Sequence, residues 1–369
     1  MIEDIYKFWN INNDYAVADT FTGYEDLYHE FDKYTKQSYE TNPDATIDSV
    51  FNLYRSRGIV PIDYYTEAGL AQAIRDFASA KYNTVQGNTI GLGNNQGQKI
   101  SRFVFTNMMT AEPKGRGSNS LRDRFNDDAK LRRAIRICFE FRDGNNLVYP
   151  TAVRRALELV TGENIQNFKP QNARAIVEHL CPVMWGRVYD YSAGYGGRLL
   201  GITASNMHYQ YIGVDPNTET VERLNYLNSL IQNSGTIIQN VSEEYQPEDI
   251  DCAFSSPPYF NLEKYSDEDT QCMVRYKTLD EWFDGYVGPT LEQIHRGLNR
   301  EGLLGTNIAD YKTSKEEFKV CERWIATAEK IGFVYEGMIR MLLNTRPGVG
   351  NDKLAGREKF EGVYVFRKV

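Results

Sequence analysis

Residues 256–259 read Ser-Pro-Pro-Tyr. They provide a hydroxyl, two backbone nitrogens without a proton and an aromatic ring at four consecutive positions. The apolar run before them, at 252–254, is typical of a parallel strand buried on both faces. Because each proline lacks an N–H and fixes φ near about −65°, the strand must end there and the chain must leave the sheet along a rigid path. The pattern fits an ordinary strand exit, or a site that presents acceptors and a ring to a ligand.

A second polar group follows an earlier predicted strand. Asp190 ends that strand, and Gly194, Gly196 and Gly197 come before a predicted helix. Glycines let a ligand approach the backbone closely, and a helix N-terminus offers free N–H groups. Asp215 ends the next strand about twenty residues later, where an acid can accept hydrogen bonds from ribose hydroxyls. NAD sites share these features, but the spacing here is DxxxGxG rather than GxGxxG. A purely structural glycine turn is the other alternative.

Four segments, taken in order, carry a family resemblance over residues 165–369. They are NFKPQNARAIVEHL, DYSAGYGGRLLG, YIGVDPN and SSPPYFNLEKY. In this order they resemble the S-adenosylmethionine-dependent amino-methyltransferases that act on DNA. The resemblance implies S-adenosylmethionine as cofactor, with segment 240–243 near its adenine. It also implies the cofactor-binding residues Phe168, Lys169, Asp190, Ser192, Ala193, Gly194, Gly196, Asp215, Pro216 and Ser255.

The same resemblance gives the SPPY residues a catalytic role. Ser256 Oγ and the Pro257 carbonyl oxygen would accept the hydrogens of an exocyclic amine on a nucleobase, and Pro258 would help to hold the loop. Orientation and preorganised acceptors would then do most of the catalysis. Tyr259 would stack on a base flipped out of the duplex, and Phe260 would form a second wall or belong to the core.

The motif favours one target atom slightly over another. In the resembled family, Ser at the first motif position is more frequent among enzymes that methylate N4 of cytosine, and Asp or Asn among those that methylate N6 of adenine. Methylation of cytosine C5 needs a nucleophilic cysteine on a Pro-Cys loop. No such dipeptide occurs, since Cys181-Pro182 has the reverse order. Methylation of RNA or of a protein amide, and a non-catalytic nucleic-acid-binding subunit, remain alternatives.

The elements that position these residues form an α/β pattern from about residue 165 onward. Seven apolar runs predict a doubly wound, mostly parallel sheet that ends in an antiparallel hairpin, as in a Rossmann-like methyltransferase fold. Helices are predicted between the strands, at 171–180, 219–232, 279–298 and 315–331. Residues 1–163 predict a mainly helical domain for DNA binding and target recognition, with helices around 47–54, 67–80, 129–139 and 150–162. Residues 164–369 are then the catalytic domain.

Charge is distributed unevenly along a chain whose net charge is −8. Residues 1–50 carry eleven acids and three lysines, whereas residues 114–155 carry eleven Lys and Arg against five acids. A local excess of basic residues predicts contacts with the phosphates of double-stranded DNA, and a solvated basic helix is the alternative. The predicted contacts are Lys114, Arg116, Arg122, Arg124, Arg132, Arg133 and Arg136. For the acidic N-terminus we expect one of three roles: self-association, binding of a protein partner, or covering of the protein's own surface.

Other features narrow the class of protein. The chain starts without a basic and apolar leader, so the sequence predicts a cytoplasmic protein, in a bacterium or a phage-infected host, with no membrane contact. Five scattered cysteines and four histidines predict neither disulfides nor a metal site. A role in DNA modification, as in a restriction-modification system, would fit this setting. Loops at 261–277 and 344–359 would assist target recognition and closure over the substrate.

Overall fold

The computed structural model describes residues 29–62, 65, 67–93, 95–113, 119–161, 164–231, 235–313, 316–343 and 359–369. These residues divide into two compact units. The first holds the described residues up to Gln72, together with Arg102–Gln166 and Glu263–Tyr265. The second holds Ala73–Ser101, Asn167–Leu262 and Ser266–Val369. The chain thus passes into the second unit three residues after the predicted boundary at 163, and segment 73–101 also belongs to that unit.

The first unit is built from helices. They begin where the sequence supplies caps: Asn42 Oδ1 accepts the N–H of Ala45 before a helix that opens with Pro43, and Ser120 forms a capping box with Asp123. The buried Tyr54 side chain donates its hydroxyl to the Val148 carbonyl oxygen at 2.8 Å, which ties distant segments together. The helices in and leading out of this unit are α1 Lys36–Thr41, α2 Pro43–Ser56, α3 Glu67–Ser79, α4 Gln98–Val104, α5 Leu121–Asn126, α6 Asp128–Phe141 and α7 Pro150–Thr161.

The second unit is an α/β sheet whose strand order reverses once. The strands of the chain are β1 Val85–Gln86, β2 Thr89–Ile90, β3 Glu112–Pro113, β4 Trp185–Asp190, β5 His208–Asp215, β6 Thr236–Gln239, β7 Ile250–Ser255, β8 Glu263–Lys264, β9 Leu298–Asn307, β10 Tyr311–Lys312, β11 Glu317–Phe318, β12 Phe333–Leu342 and β13 Phe360–Lys368. Of these, β3 and β8 belong to the first unit. The order in the main sheet is β1-β2-β12-β13-β9-β7-β4-β5-β6. Strands β6, β5, β4, β7 and β9 run parallel, and β13 pairs antiparallel with both β9 and β12.

This order confirms the predicted fold class, a Rossmann-like methyltransferase fold with a terminal antiparallel hairpin. All seven predicted strands are present, and two short strands, β1 and β2, extend the sheet beyond β12. The remaining short strands form separate ladders, β3 with β8 and β10 with β11. From β4 the chain adds strands outward on one side and then crosses to add β7 on the other. In such sheets, ligands bind at the carboxyl ends of the strands where the order reverses.

The helices of the second unit match three of the four predicted segments, with one helix divided. They are α8 Pro170–Leu180, α9 Gly197–Thr203, α10 Thr218–Leu230, α11 Cys272–Arg275, α12 Leu279–Trp282, α13 Gly288–Gly297 and α14 Cys321–Ile331. A π-helical turn at Phe283–Val287 separates α12 from α13. Pro289 has no N–H for the Gly285 carbonyl oxygen, and the Tyr276 hydroxyl oxygen lies 2.9 Å from that carbonyl oxygen.

The helix predicted at 315–331 begins only at Cys321. Asp310 Oδ1 accepts the N–H groups of Val320 and Cys321 at 2.9 and 3.0 Å, which satisfies donors that a helix start leaves free. The residues before it include β11, which pairs with β10. The predicted start was therefore wrong because a carboxylate distant in sequence fixes it. No helix in the described part of the chain is long and apolar enough to cross a membrane.

Candidate active site

Asp190 lies at the carboxyl end of β4 with its side chain fully buried. Its carboxylate accepts hydrogen bonds from Arg198 Nε at 2.9 Å, the Tyr211 hydroxyl at 2.7 Å and Ser255 Oγ at 2.6 Å. These donors come from α9, β5 and β7, so one buried carboxylate joins the glycine turn to both neighbouring strands. These donors all belong to the protein, so Asp190 fixes the loop, and its contact with a cofactor stays a prediction.

The glycine turn depends on two positions that no other residue fits. Gly196 has φ of 70° at the N-cap of α9, in the left-handed region. A Cβ on Gly197 would lie 2.2 Å from the Phe168 carbonyl oxygen, so the backbone of this turn touches the segment before α8. Asn167 Nδ2 also donates to the Tyr195 carbonyl oxygen at 2.9 Å. The structure thus brings together the turn and the predicted cofactor residue Phe168.

Phe168 and Lys169 have different surroundings. The Phe168 ring meets the Phe254 ring of β7 edge to face, with centroids 5.4 Å apart. Lys169 Nζ donates to the Gly93 carbonyl oxygen at 3.3 Å, in the segment that follows β2. Phe168 therefore links the glycine turn to the strand that leads into the SPPY loop, and Lys169 holds segment 73–101 to the start of α8.

Asp215 ends β5 directly across from the glycine turn. Its carboxylate accepts the Gly194 N–H at 2.8 Å and the Asn217 N–H at 3.0 Å. Burial, with 9% of the residue exposed, raises the pKa of this carboxyl to about 6, although the two backbone hydrogen bonds act in the opposite direction. Pro216 lies between the strand and α10, which Asn217 caps. The predicted ribose acid and the turn are therefore in direct contact.

Two further predicted cofactor residues, Ala193 and Ser192, lie just before the glycine turn and hold it in place. Ala193 donates its N–H to the Val214 carbonyl oxygen at 2.8 Å. Ser192 Oγ donates to the Tyr191 carbonyl oxygen at 2.7 Å and lies 3.0 Å from the Tyr286 hydroxyl. The turn is therefore fixed to both β5 and the π-helical turn, which leaves its backbone in one conformation.

Segment 240–243 follows β6 and lies beside Asp215. The Asn240 N–H donates to the Asp215 carbonyl oxygen at 3.3 Å. Glu243 is buried, and it accepts from Arg275 at 2.9 Å and from the Tyr276 hydroxyl at 2.7 Å. Burial raises the pKa of the Glu243 carboxyl. Sequence reasoning missed Arg275 and Tyr276, which connect the loop after the SPPY motif to the predicted adenine segment.

The SPPY loop begins where β7 ends, next to β4. Val188 and Cys252 are partners in this parallel pair, and Ser255 Oγ reaches Asp190. Pro257 is buried, and Ser256, Pro258 and Tyr259 are partly exposed. Ser256 Oγ donates to Asn307 Oδ1 at 3.0 Å. The predicted catalytic residues and the glycine turn therefore occupy one edge of the sheet.

The side chains of Tyr259 and Phe260 lie in different surroundings. The Tyr259 hydroxyl accepts the Ala309 N–H at 3.1 Å, and its ring meets the Tyr311 ring edge to face at 5.0 Å. Phe260 is buried in the hydrophobic core of the sheet, 5.8 Å from the Phe318 ring. Phe260 is thus a core residue. Asn307, Ala309 and Tyr311 were not predicted, and the available signal was that β9 ends at the same edge as β7.

The predicted DNA contacts have varied surroundings in the first unit. Arg132 forms an ion pair with Asp48, and Arg136 forms one with Asp44 at 3.3 Å. Arg133 is exposed and Arg122 is partly exposed. The acidic helix α2 therefore neutralises part of the basic helix α6. Lys114, Arg116, residues 1–28 of the acidic N-terminus and the loop at 344–358 lie outside the described residues.

Arg124 differs from the expectation, because only 1% of the residue is exposed. Its guanidinium donates to the Asn119 carbonyl oxygen at 3.1 Å and to Asn164 Oδ1 at 2.7 Å. A guanidinium enclosed in this way holds segments of the first unit together and is not presented to a phosphate. The burial could not be predicted from the local sequence, because one of the partners of this Arg lies forty residues away.

No family model matches the chain, and no curated protein matches it. Solved structures similar to part of it include TrmN from Thermus thermophilus, with 15% identity, 54% of this chain and 49% of that chain covered, and a TM-score of 0.35. A putative RNA methyltransferase from Pyrococcus horikoshii has 14% identity, 54% and 83% coverage and a TM-score of 0.35. A precorrin-6y C5,15-methyltransferase from Geobacter metallireducens GS-15 has 14% identity, 54% and 88% coverage and a TM-score of 0.34.

This chain spans about half the length of TrmN. Identities and TM-scores this low carry no inference about activity. The fold assignment depends on the chain's own strand order.

Proposed function

We propose that this protein is an S-adenosylmethionine-dependent methyltransferase that methylates the exocyclic amino group of a base in DNA. The observation that carries the proposal is the hydrogen bond between Ser255 Oγ and Asp190, at 2.6 Å. It joins the SPPY loop to the glycine turn where the strand order reverses, which is where such sheets bind ligands. A cofactor on the turn and an amine at Ser256 would then be neighbours.

The residues at the turn fit S-adenosylmethionine. Asp215 presents a buried carboxylate whose observed partners are backbone N–H groups, so each oxygen keeps a lone pair for a ribose hydroxyl. The turn at Gly194 and Gly196 carries no side chain that would obstruct the methionine end of the cofactor. Segment 240–243, held at the Asp215 backbone, would flank the adenine. When bound, the cofactor supplies an electrophilic methyl group on a sulfonium.

Ser256 and Pro257 orient the acceptor amine. The lone pair of an exocyclic amine is delocalised into the base, so the nitrogen attacks only when its hydrogens are held out of the ring plane. Acceptors on Ser256 Oγ and the Pro257 carbonyl oxygen supply that geometry, and rigid prolines keep them in place. Tyr259 lies at the end of the same loop and offers a ring face to a flipped base.

The cysteines support an amino target over a ring carbon. Attack on cytosine C5 needs a thiolate, but burial raises the pKa of Cys181 to about 12 and the pKa of Cys252 well above its ordinary value. Both thiols therefore stay protonated at neutral pH. Serine at position 256 slightly favours N4 of cytosine over N6 of adenine, following the family resemblance.

The polymer that accepts the methyl group is tested directly. Full-length protein and methyl-labelled S-adenosylmethionine are incubated with PCR-amplified bacterial genomic DNA, with an RNA transcribed from it, or with a bacterial protein extract. We expect label in DNA, and none with a protein that carries Ser256→Ala and Tyr259→Ala together. Label only in RNA or protein would overturn DNA as the substrate. Cofactor binding without label in any polymer would overturn the catalytic assignment.

A further inference from the structure

The chain that leaves β9 contacts the SPPY loop at every second residue. Asn307 accepts from Ser256, the Ala309 N–H donates to the Tyr259 hydroxyl, and the Tyr311 ring packs edge-on against the Tyr259 ring. Residues 307–311 therefore form one continuous support for the SPPY loop, which we call the 307–311 support.

The orientation of the Asn307 amide follows from its second partner. Asn307 lies opposite Val363 in the pairing of β9 with β13, and its Nδ2 donates to the Gly362 carbonyl oxygen at 2.9 Å. A carbonyl oxygen can only accept, so Nδ2 must face Gly362 and Oδ1 must face Ser256. The Ser256 hydroxyl is then the donor in the 3.0 Å bond.

This direction determines what Ser256 offers to a substrate. A hydroxyl has one proton and two lone pairs, and a freely rotating hydroxyl can turn its proton toward an incoming amine. With the proton committed to Asn307, Ser256 Oγ can only accept. An amine hydrogen thus finds an oriented acceptor, without a rotamer having to be selected during the reaction.

From this geometry we propose that Asn307 is a positioning residue that makes Ser256 an obligate hydrogen-bond acceptor for the target amine. The inference rests on the proposed function. In methyl transfer, the nitrogen–carbon bond forms as the sulfur–carbon bond breaks, and the amine then releases one proton to water. Ser256 keeps its own proton throughout, so no charged base is needed at position 307.

The test uses two variants that are equal in one respect and different in the other. Asn307→Asp and Asn307→Leu both lose the bond to Gly362, but only Asp keeps an acceptor for the Ser256 hydroxyl. We expect Asn307→Leu to lower kcat by about 10- to 100-fold, below the effect of deleting a donor that touches the reacting group itself. We expect Asn307→Asp to stay within about threefold of wild type at pH 8. Cofactor affinity should change less than twofold in both.

A double mutant separates positioning from general support. Ser256→Ala with Asn307→Leu should be no slower than Ser256→Ala alone, because Asn307 acts through the Ser256 hydroxyl. Asn299→Ala is the matched control at the opposite end of β9, where Asn299 Nδ2 donates to Asp251 at 2.9 Å. It should leave kcat unchanged.

Rates are measured with labelled S-adenosylmethionine and PCR-amplified bacterial genomic DNA. Equal loss in Asn307→Asp and Asn307→Leu would overturn the inference, since the bond to Gly362 alone would then explain it. Multiplying losses in the double mutant would overturn it as well. An inactive wild-type protein would instead contradict the proposed function, and that result is distinct from both.

Discussion

At the residue scale, the site is built from a few buried polar side chains that share partners. Asp190 and Asp215 both lie at strand ends, but Asp190 meets three side-chain donors and Asp215 meets two backbone donors. Asp190 therefore ties three elements together, and the Asp215 oxygens each keep a lone pair beyond their observed bonds. This difference in partners could not be predicted from two acids in similar sequence positions.

Asp215 should link cofactor binding to pH. Burial raises the pKa of its carboxyl from 3.8, the ordinary value expected in the unfolded chain, to about 6 in the folded protein. The folded state binds this proton more tightly than the unfolded chain does. The stability that the protonated carboxyl adds is therefore lost as pH rises from about 4 to about 6. Ligand hydroxyls need the ionised form, so cofactor affinity should fall as pH drops below about 6.

Asp215→Asn should move stability and binding in opposite directions. At pH 7.5 we expect the free energy of unfolding to rise by about 1 to 2 kcal/mol. Removal of the buried charge is worth about 3 kcal/mol for a pKa raised by about two units, and about 1 to 2 kcal/mol of this is offset because the amide oxygen accepts only one of the Gly194 and Asn217 N–H groups. Cofactor affinity should weaken by about 1.5 to 3 kcal/mol, the worth of hydrogen bonds to a charged group, and should no longer depend on pH between 5 and 7. Urea denaturation and titration calorimetry measure the two effects, with Asp44→Asn as control. A parallel loss of stability and affinity would contradict this role.

Tyr259 should contribute through its ring. Tyr259→Ala should raise KM for DNA, because the base loses stacking worth about 1 to 3 kcal/mol in binding free energy. Cofactor affinity should stay the same. Tyr259→Phe keeps the ring and loses only the hydroxyl that accepts the Ala309 N–H, so KM should change less than about threefold. Steady-state kinetics on PCR-amplified genomic DNA compare the two. Similar defects in both variants would assign Tyr259 to supporting the loop instead of the base.

At the element scale, apolar runs predicted all seven main strands because parallel strands buried on both faces are almost continuously hydrophobic. The SPPY motif and the glycine turn were also readable, because each is contiguous. Contacts between separate segments were not readable: Asp310 fixes the start of α14, and Tyr276 contacts the Gly285 carbonyl oxygen, for which Pro289 has no N–H. Asn307 was missed for the same reason, since its contact with Ser256 spans fifty-one residues.

The pairing of α2 with α6 changes what is expected of the basic segment. Arg132 and Arg136 already have partners in Asp48 and Asp44, whereas Arg133 has no ion pair among the described residues. Arg133→Gln should therefore lower the log–log salt slope of DNA binding by about 0.9, the value for one phosphate contact. Asp44→Asn together with Asp48→Asn should steepen the slope and tighten binding, since two arginines become available.

Fluorescence anisotropy with a PCR-amplified DNA fragment at several salt concentrations measures these slopes. Equal slopes in wild type, the Arg133 variant and the Asp variant would show that α6 does not contact the backbone of DNA.

At the scale of the whole molecule, the chain combines a helical unit with an α/β unit. Segment 73–101 belongs to the α/β unit, although most of that unit follows residue 166. The predicted boundary at 163 lies three residues before Gln166, where the chain passes into the second unit. The sequence did not indicate that segment 73–101 belongs to the second unit, because β1 and β2 contain only two residues each and carry no clear alternation. The net charge of −8 likewise conceals how acidic and basic helices neutralise each other.

The central claim is that the methyl group goes to an exocyclic nitrogen, and mass spectrometry of nucleosides tests it most directly. PCR-amplified genomic DNA is treated with the full-length protein and S-adenosylmethionine carrying a deuterated methyl group, then digested to nucleosides. We predict deuterated N4-methylcytosine or, as the second choice, N6-methyladenine, and a much lower yield of the same product with Ser256→Ala. Deuterated 5-methylcytosine would contradict the account, because that reaction needs a thiolate and burial raises the pKa of all five cysteine thiols.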